Sequence, residues 1–157
     1  MRLPALSLPA LSLLLSLVLA APAFAARGGP YDEAADAPAQ VRATLAEAQR
    51  AGLPVLVVFG ANWCGDCRAL DQAFHEGRTA ALIGQRYRVV KVDVGRFDRN
   101  TALADTYGVP LKKGIPAVAV LAPDGQLRYA TTGGELADAR KMGDERIYAF
   151  FSKLAAN

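Results

Sequence analysis

The sequence predicts an α/β domain with a mixed central sheet and helices on both faces, and three observations predict it. Val55-Leu56-Val57-Val58-Phe59 is an unbroken apolar run rich in β-branched residues, as in a strand covered on both sides. Segments of helical apolar spacing alternate with such runs, which is the order of a sheet flanked by helices. Near the C-terminal end, Pro123-Asp124-Gly125 separates two strand-like stretches and predicts an antiparallel hairpin at the sheet edge.

The elements follow in order. From Pro38 to Ala51, Val41, Leu45 and Ala48 recur at helical spacing, proline suits the first turn, and Gly52 is a stop. The Val55–Phe59 strand comes next. A helix is expected after Cys67, with Leu70 and Phe74 inward and Gly77 as its breaker. A second turn or helix spans Thr79 to Gln85, and Arg88 to Val94 reads as the next strand. Asn100 can cap a short helix carrying Leu103 and Tyr107, stopped by Gly108. Ala117 to Leu121 is a third strand, and Gln126 to Thr131 its hairpin partner. Ile147, Phe150, Phe151 and Leu154 give a closing helix its apolar face. Helices between the early strands imply right-handed parallel crossovers.

Composition narrows the function classes. The chain has 157 residues, of which 52% are hydrophobic and 21% charged, so it has room for one globular domain and is not a disordered chain. The net charge of +3 is not concentrated in any basic run, which argues against nucleic-acid binding. Two cysteines cannot build a disulfide scaffold, and with one histidine they are too few for a four-ligand zinc.

Residues 1–25 read as a signal peptide. Arg2 supplies a positive charge, Leu11 to Leu19 is the apolar core, and Ala23 and Ala25 fit small-x-small cleavage after Ala25. An uncleaved anchor is the alternative, but the apolar core is short for a span and Pro4 and Pro9 interrupt its approach. No paired arginine precedes the core, and no cysteine near the cleavage point offers a lipid attachment. No later segment is apolar enough to span a membrane. The expected location is the bacterial periplasm, where disulfides persist. Residues 26–37, with Gly28, Gly29 and Pro30, read as a flexible lead-in to a domain over 38–157.

The chemistry lies in Cys64 and Cys67. They follow a buried-type strand and open a helix, where unpaired N–H groups and the helix dipole favour a thiolate. A thiolate attacks disulfides where a thiol does not. A half zinc site lacks its second ligand pair, since His75 is the only histidine. Haem attachment requires histidine where Arg68 stands. A purely structural disulfide here would close too short a loop to restrain much chain. Redox chemistry is the reading that remains, and it requires neither a metal nor an organic cofactor.

Phe59-Gly60-Ala61-Asn62-Trp63-Cys64-Gly65-Asp66-Cys67-Arg68 resembles the active-site segment of the thioredoxin superfamily. Tyr107-Gly108-Val109 with Gly114-Ile115-Pro116-Ala117 is similar to that family's cis-proline segment, and Asp124-Gly125-Gln126 to its following turn. The resemblance runs from Pro54 to Tyr129 and implies a thioredoxin-like fold. It implies that Cys64 is the exposed nucleophile, Cys67 the resolving thiol and Trp63 a flank of the nucleophile. It also implies a cis Ile115–Pro116 bond, with the Ile115 backbone pairing with an extended substrate.

Departures from the family pattern matter as much. Thioredoxins have a buried aspartate where Val58 stands, and their neighbouring lysine falls on Val89 in the simplest alignment. Proton transfer from Cys67 therefore needs another group or water. Asp71 is the candidate, because Cys64, Cys67 and Asp71 share one helical face. The competing reading is a solvated Asp71 paired with Arg68 or His75. Between the cysteines, Gly65 suits the helix start and the approach of a partner backbone. Asp66 places like charge beside the thiolate, offset in part by Arg68, which predicts a reductant or neutral shuttle and not a strong oxidant. Pro110-Leu111-Lys112-Lys113 lengthens the loop before Pro116, and residues 133–144 form a further insertion.

The function expected is a periplasmic thiol–disulfide oxidoreductase that reduces or exchanges disulfides in protein substrates. A membrane electron-delivery partner would restore its dithiol. Two alternatives stay open: a dedicated donor for one client, such as apocytochrome thiols, and a binding or chaperone-like module with a resting disulfide.

Overall fold

The computed structural model describes residues 28–156. The expected signal segment lies outside the described residues. The chain runs α1 (Ala37–Ala51), β1 (Val55–Gly60), α2 (Gly65–Ala73), α3 (Gly77–Arg86), β2 (Arg88–Asp93), α4 (Thr101–Thr106), a 3-10 turn (Leu111–Lys113), β3 (Ala117–Leu121), β4 (Leu127–Ala130) and α5 (Ala139–Ala155). The sheet order is β2-β1-β3-β4. This is a mixed sheet with helices on both faces, the thioredoxin-like architecture.

Every residue of β1 is buried because the strand is central and covered twice. Val55, Val57 and Phe59 point into one core with Val41 and Ala48 of α1 and Val90 and Val92 of β2. Leu56 and Val58 point into a second core with Leu70 and Phe74 of the α2 segment, Ile83 of α3 and Ile147 and Phe151 of α5. Alternation along one strand thus divides its side chains between two layers. Each such residue stabilises the fold by about 1.5–3 kcal/mol relative to exposure.

Among the described residues, β1 and β2 are the parallel pair, joined through α2 and α3. The β2-to-β3 connection is not a parallel crossover, contrary to expectation: β3 runs antiparallel to β1. Its helix is too short to carry the chain back along the sheet. Six residues of α4 rise about 9 Å, whereas six residues of β2 extend about 20 Å. The β3–β4 hairpin is antiparallel, as its turn sequence predicts. Asn100 is the N-cap of α4, but no side-chain bond caps the helix; its amide donates to the Asp93 carbonyl at 2.8 Å. A left-handed Gly143 (φ 69°) kinks α5 after its first turn.

The expectation of a flexible lead-in is corrected at its described residues. Tyr31 is 2% exposed and belongs to the first core. The Asn62 side chain grips its backbone twice: Tyr31 N–H donates to Oδ1 at 2.9 Å, and Nδ2 donates to the Tyr31 carbonyl at 2.8 Å. Asn62 Nδ2 also donates to Glu33 Oε1 at 2.9 Å, and Arg99 donates to the Glu33 carbonyl at 3.0 Å. A buried aromatic anchor with paired backbone bonds outweighs the local looseness that glycines confer. No helix of the described residues is long and apolar enough to cross a membrane.

Candidate active site

β1 delivers the chain to a turn at Ala61-Asn62-Trp63, and α2 begins immediately after Cys64. Cys64 is the N-cap, in extended conformation, and its Sγ accepts the Cys67 N–H at 3.1 Å. Its sulfur thus sits where first-turn N–H groups are unpaired and the helix dipole is positive. Cys64 and Cys67 form a disulfide with their Cα atoms 5.2 Å apart. The structure is therefore of the oxidised state.

The expected nucleophile is less open than its role suggests. Cys64 is 5% exposed and Cys67 is fully buried. The Cys64 sulfur lies 3.5 Å from the Ile115 carbonyl oxygen, which covers it. The Ile115–Pro116 peptide bond is cis. Trp63 is the outward group, 46% exposed. Its indole N–H donates to the Gly95 carbonyl at 2.8 Å, and its ring meets Phe97 edge-on at 6.0 Å. Trp63, Cys64, Cys67, Ile115 and Pro116 are thus brought together from the β1–α2 turn and the start of β3.

The charges around the motif are arranged differently from expectation. Arg68 does not offset Asp66; its Nη1 donates to the Asn62 carbonyl at 2.7 Å and braces the turn. Asp66 is held by Arg140, in the first turn of α5. The Arg140 backbone N–H and Nε donate to Asp66 Oδ1 at 3.0 and 3.2 Å, and Nη2 donates to Oδ2 at 3.1 Å. Burial pushes the Asp66 carboxyl up, but hydrogen bonds and charge from Arg140 outweigh it and hold it below its ordinary range. The guanidinium also lies close over Gly65, where a Cβ would come within 3.1 Å of its central carbon.

Asp71 pairs with Lys91, a partner expected by neither reading. His75 Nδ1 is 3.7 Å from the same carboxylate, while Arg68 is committed to Asn62. Lys91 stands opposite Val58 in the parallel register. An aspartate–lysine pair is thus present, built from α2 and β2, with no carboxylate at Val58. The alignment to Val89 missed it because Lys91 lies two positions farther along the same strand.

Three further residues escaped the sequence reading. Asn62 looks like any turn residue, Arg140 is one cation among many, and Tyr31 is a lone aromatic in a glycine-rich stretch. None carries a local pattern that points to the site. Tyr31 reaches it because Gly60 has no side chain: a Cβ on Gly60 would collide with the Tyr31 hydroxyl and lie 3.0 Å from Cys67 Sγ. Burial, then the charges of Asp71 and Asp93, push the Tyr31 hydroxyl pKa far above its ordinary value.

Comparison with known proteins places this geometry. A family model described as thioredoxin-like matches residues 36–123, more than half of the chain. The crystal structure of a disulphide isomerase from Xylella fastidiosa Temecula1 is similar, with 55% identity and a TM-score of 0.79 over 82% of this chain and 98% of that one. The thiol:disulfide interchange protein DsbD 1 of Pseudomonas aeruginosa is 32% identical over 108 residues, or 68% of this chain. This chain spans only 16% of that protein's length. Thioredoxin 1 of Synechococcus elongatus is 35% identical over 80 residues, covering 51% of this chain and 66% of that one.

Proposed function

We propose that this chain, which belongs to the thioredoxin-like family, is a thiol–disulfide oxidoreductase that reduces or exchanges protein disulfides in the periplasm. The observation that carries this is the Cys64–Cys67 disulfide at the N-terminus of α2, flanked by exposed Trp63 and the Ile115 carbonyl. In the reduced protein, the Cys64 thiolate attacks a client disulfide. A Cys64–client bond forms, and the other client sulfur leaves as a thiolate that takes a proton from water. Cys67 then gives its proton to Asp71, one helical turn further on, and attacks Cys64 Sγ. The 64–67 disulfide forms and the second client thiolate departs. The client gains two electrons and the protein loses them. The Ile115 backbone is available to pair with an extended client segment, and Trp63 flanks its approach.

A membrane electron-delivery protein would return the dithiol, and residues 1–25 would direct export. The similarity to an interchange protein and to a disulphide isomerase supports this placement. The test has two arms. The reduced protein should accelerate insulin reduction, and Cys67→Ser should trap clients as mixed disulfides at Cys64. A protein that neither reduces insulin nor traps any client overturns the proposal.

A further inference from the structure

The resolving cysteine lies at the bottom of the site, fully buried, where ionisation is costly unless something receives the charge. Val58 packs into the second core and offers Cys67 nothing polar. What the fold places there instead is the hydroxyl of Tyr31. That oxygen and Cys67 Sγ flank one methyl-sized volume, the space above the Gly60 Cα. The placement is built. Asn62 clamps both backbone groups of Tyr31, Gly60 makes room for the ring tip, and the rest of the ring is packed into the first core. Tyr31 precedes residues 36–123, so it comes from outside the stretch that matches the family model.

We propose that Tyr31 donates a hydrogen bond to the Cys67 sulfur whenever the disulfide opens, holding the resolving thiol as a thiolate. A disulfide sulfur is a weak acceptor, whereas a thiolate is a strong one, so the bond strengthens in the state that must attack. The charged groups that act on the Tyr31 hydroxyl are Asp71 from α2 and Asp93 from β2. The carboxylates keep the phenol protonated, so it acts as a donor and not as a base. Asp71 is itself tied to Lys91. The proton of Cys67 leaves to Asp71, as above, and Tyr31 keeps its own. In resolution, Cys67 Sγ bonds to Cys64 Sγ, the Cys64–client bond breaks, and the Tyr31 hydrogen bond is released with the charge.

The inference rests on the exchange reading, but it can be read without a client. In a Cys64→Ser background, the ultraviolet absorbance of the thiolate reports ionisation of Cys67 alone. Adding Tyr31→Phe, which keeps the ring and removes the donor, should raise the Cys67 pKa by about one unit, a tenfold loss of thiolate at neutral pH. In the otherwise intact protein, Tyr31→Phe should move the pH profile of mixed-disulfide resolution upward by the same amount. An unchanged Cys67 titration overturns the inference even if the protein reduces insulin. A shifted titration upholds it even if no client is found. Should Tyr31→Phe fail to fold, the Tyr31 Cζ resonance of the wild-type protein decides. It should move on reduction and again as Cys67 titrates, and a resonance indifferent to both overturns the proposal.

Discussion

Tyr31 and Arg140 both reach the dithiol from outside residues 36–123, and they reach it by opposite means. Tyr31 is 2% exposed and brings a neutral hydroxyl to the buried sulfur. The Arg140 side chain is 65% exposed and brings a full charge to Asp66 at the rim. The first is held by packing and is shielded from salt. The second is held by a charge-assisted fork that water and ions can weaken. One active site therefore takes a short-range donor from its floor and an electrostatic adjustment from its edge. The two should fail differently when broken.

The largest separation should come from stability. Tyr31→Ala removes a buried aromatic from the first core and should cost about 3–5 kcal/mol in urea unfolding, whereas Arg140→Ala should leave the melting temperature nearly where it was. If the two variants lost equal stability, the contrast between floor and edge would be wrong.

The next difference concerns redox balance. With Arg140→Ala, the Asp66 charge stands uncompensated beside the sulfurs and disfavours thiolate. The couple should become more reducing by roughly 20 mV or less, measured against glutathione. That gap should close in ~1 M salt, where screening acts within about 3 Å. The Cys67 pKa change caused by Tyr31→Phe should persist at the same salt. A salt-insensitive Arg140 effect would show that the arginine acts through structure and not through charge.

The smallest effect is on acid stability. Because Arg140 holds the Asp66 pKa below its unfolded value, the pair stabilises the fold above the ordinary carboxylate range. That contribution is lost as pH falls from about 4 through the lower folded value. Urea midpoints measured down this range should fall less steeply in Arg140→Ala than in wild type. Parallel curves would mean that Asp66 gains nothing from its partner.

How far the sequence could reach follows the same division. The β1 run, the Cys64-Gly65-Asp66-Cys67 motif and the hairpin turn are local patterns, and all stand where they were expected. Each is written in consecutive residues with a period or turn of its own. The antiparallel β3 depended on comparing the length of α4 with the strand it would have to retrace, which a period does not reveal. Tyr31, Asn62 and Arg140 depended on contacts across 31 and 74 positions of sequence. No composition rule separates Arg140 from the other cations of the chain. Asp71 was found on its helical face, but its partner lay on another element, and the Asp71–Lys91 pair became visible only with the strand register.

Cys64, the attacking residue of the proposed exchange, is also the residue that caps the start of α2, since its sulfur takes the Cys67 N–H. A cap bears on helix stability, and a negative cap bears on it more strongly than a neutral one. Each time Cys64 spends its charge on a client, the helix gives up its best-charged terminus. The fully reduced, ionised form is therefore the one in which α2 is most firmly begun. By thermodynamic reciprocity, any partner that tightens this turn also shifts the protein toward its electron-rich form.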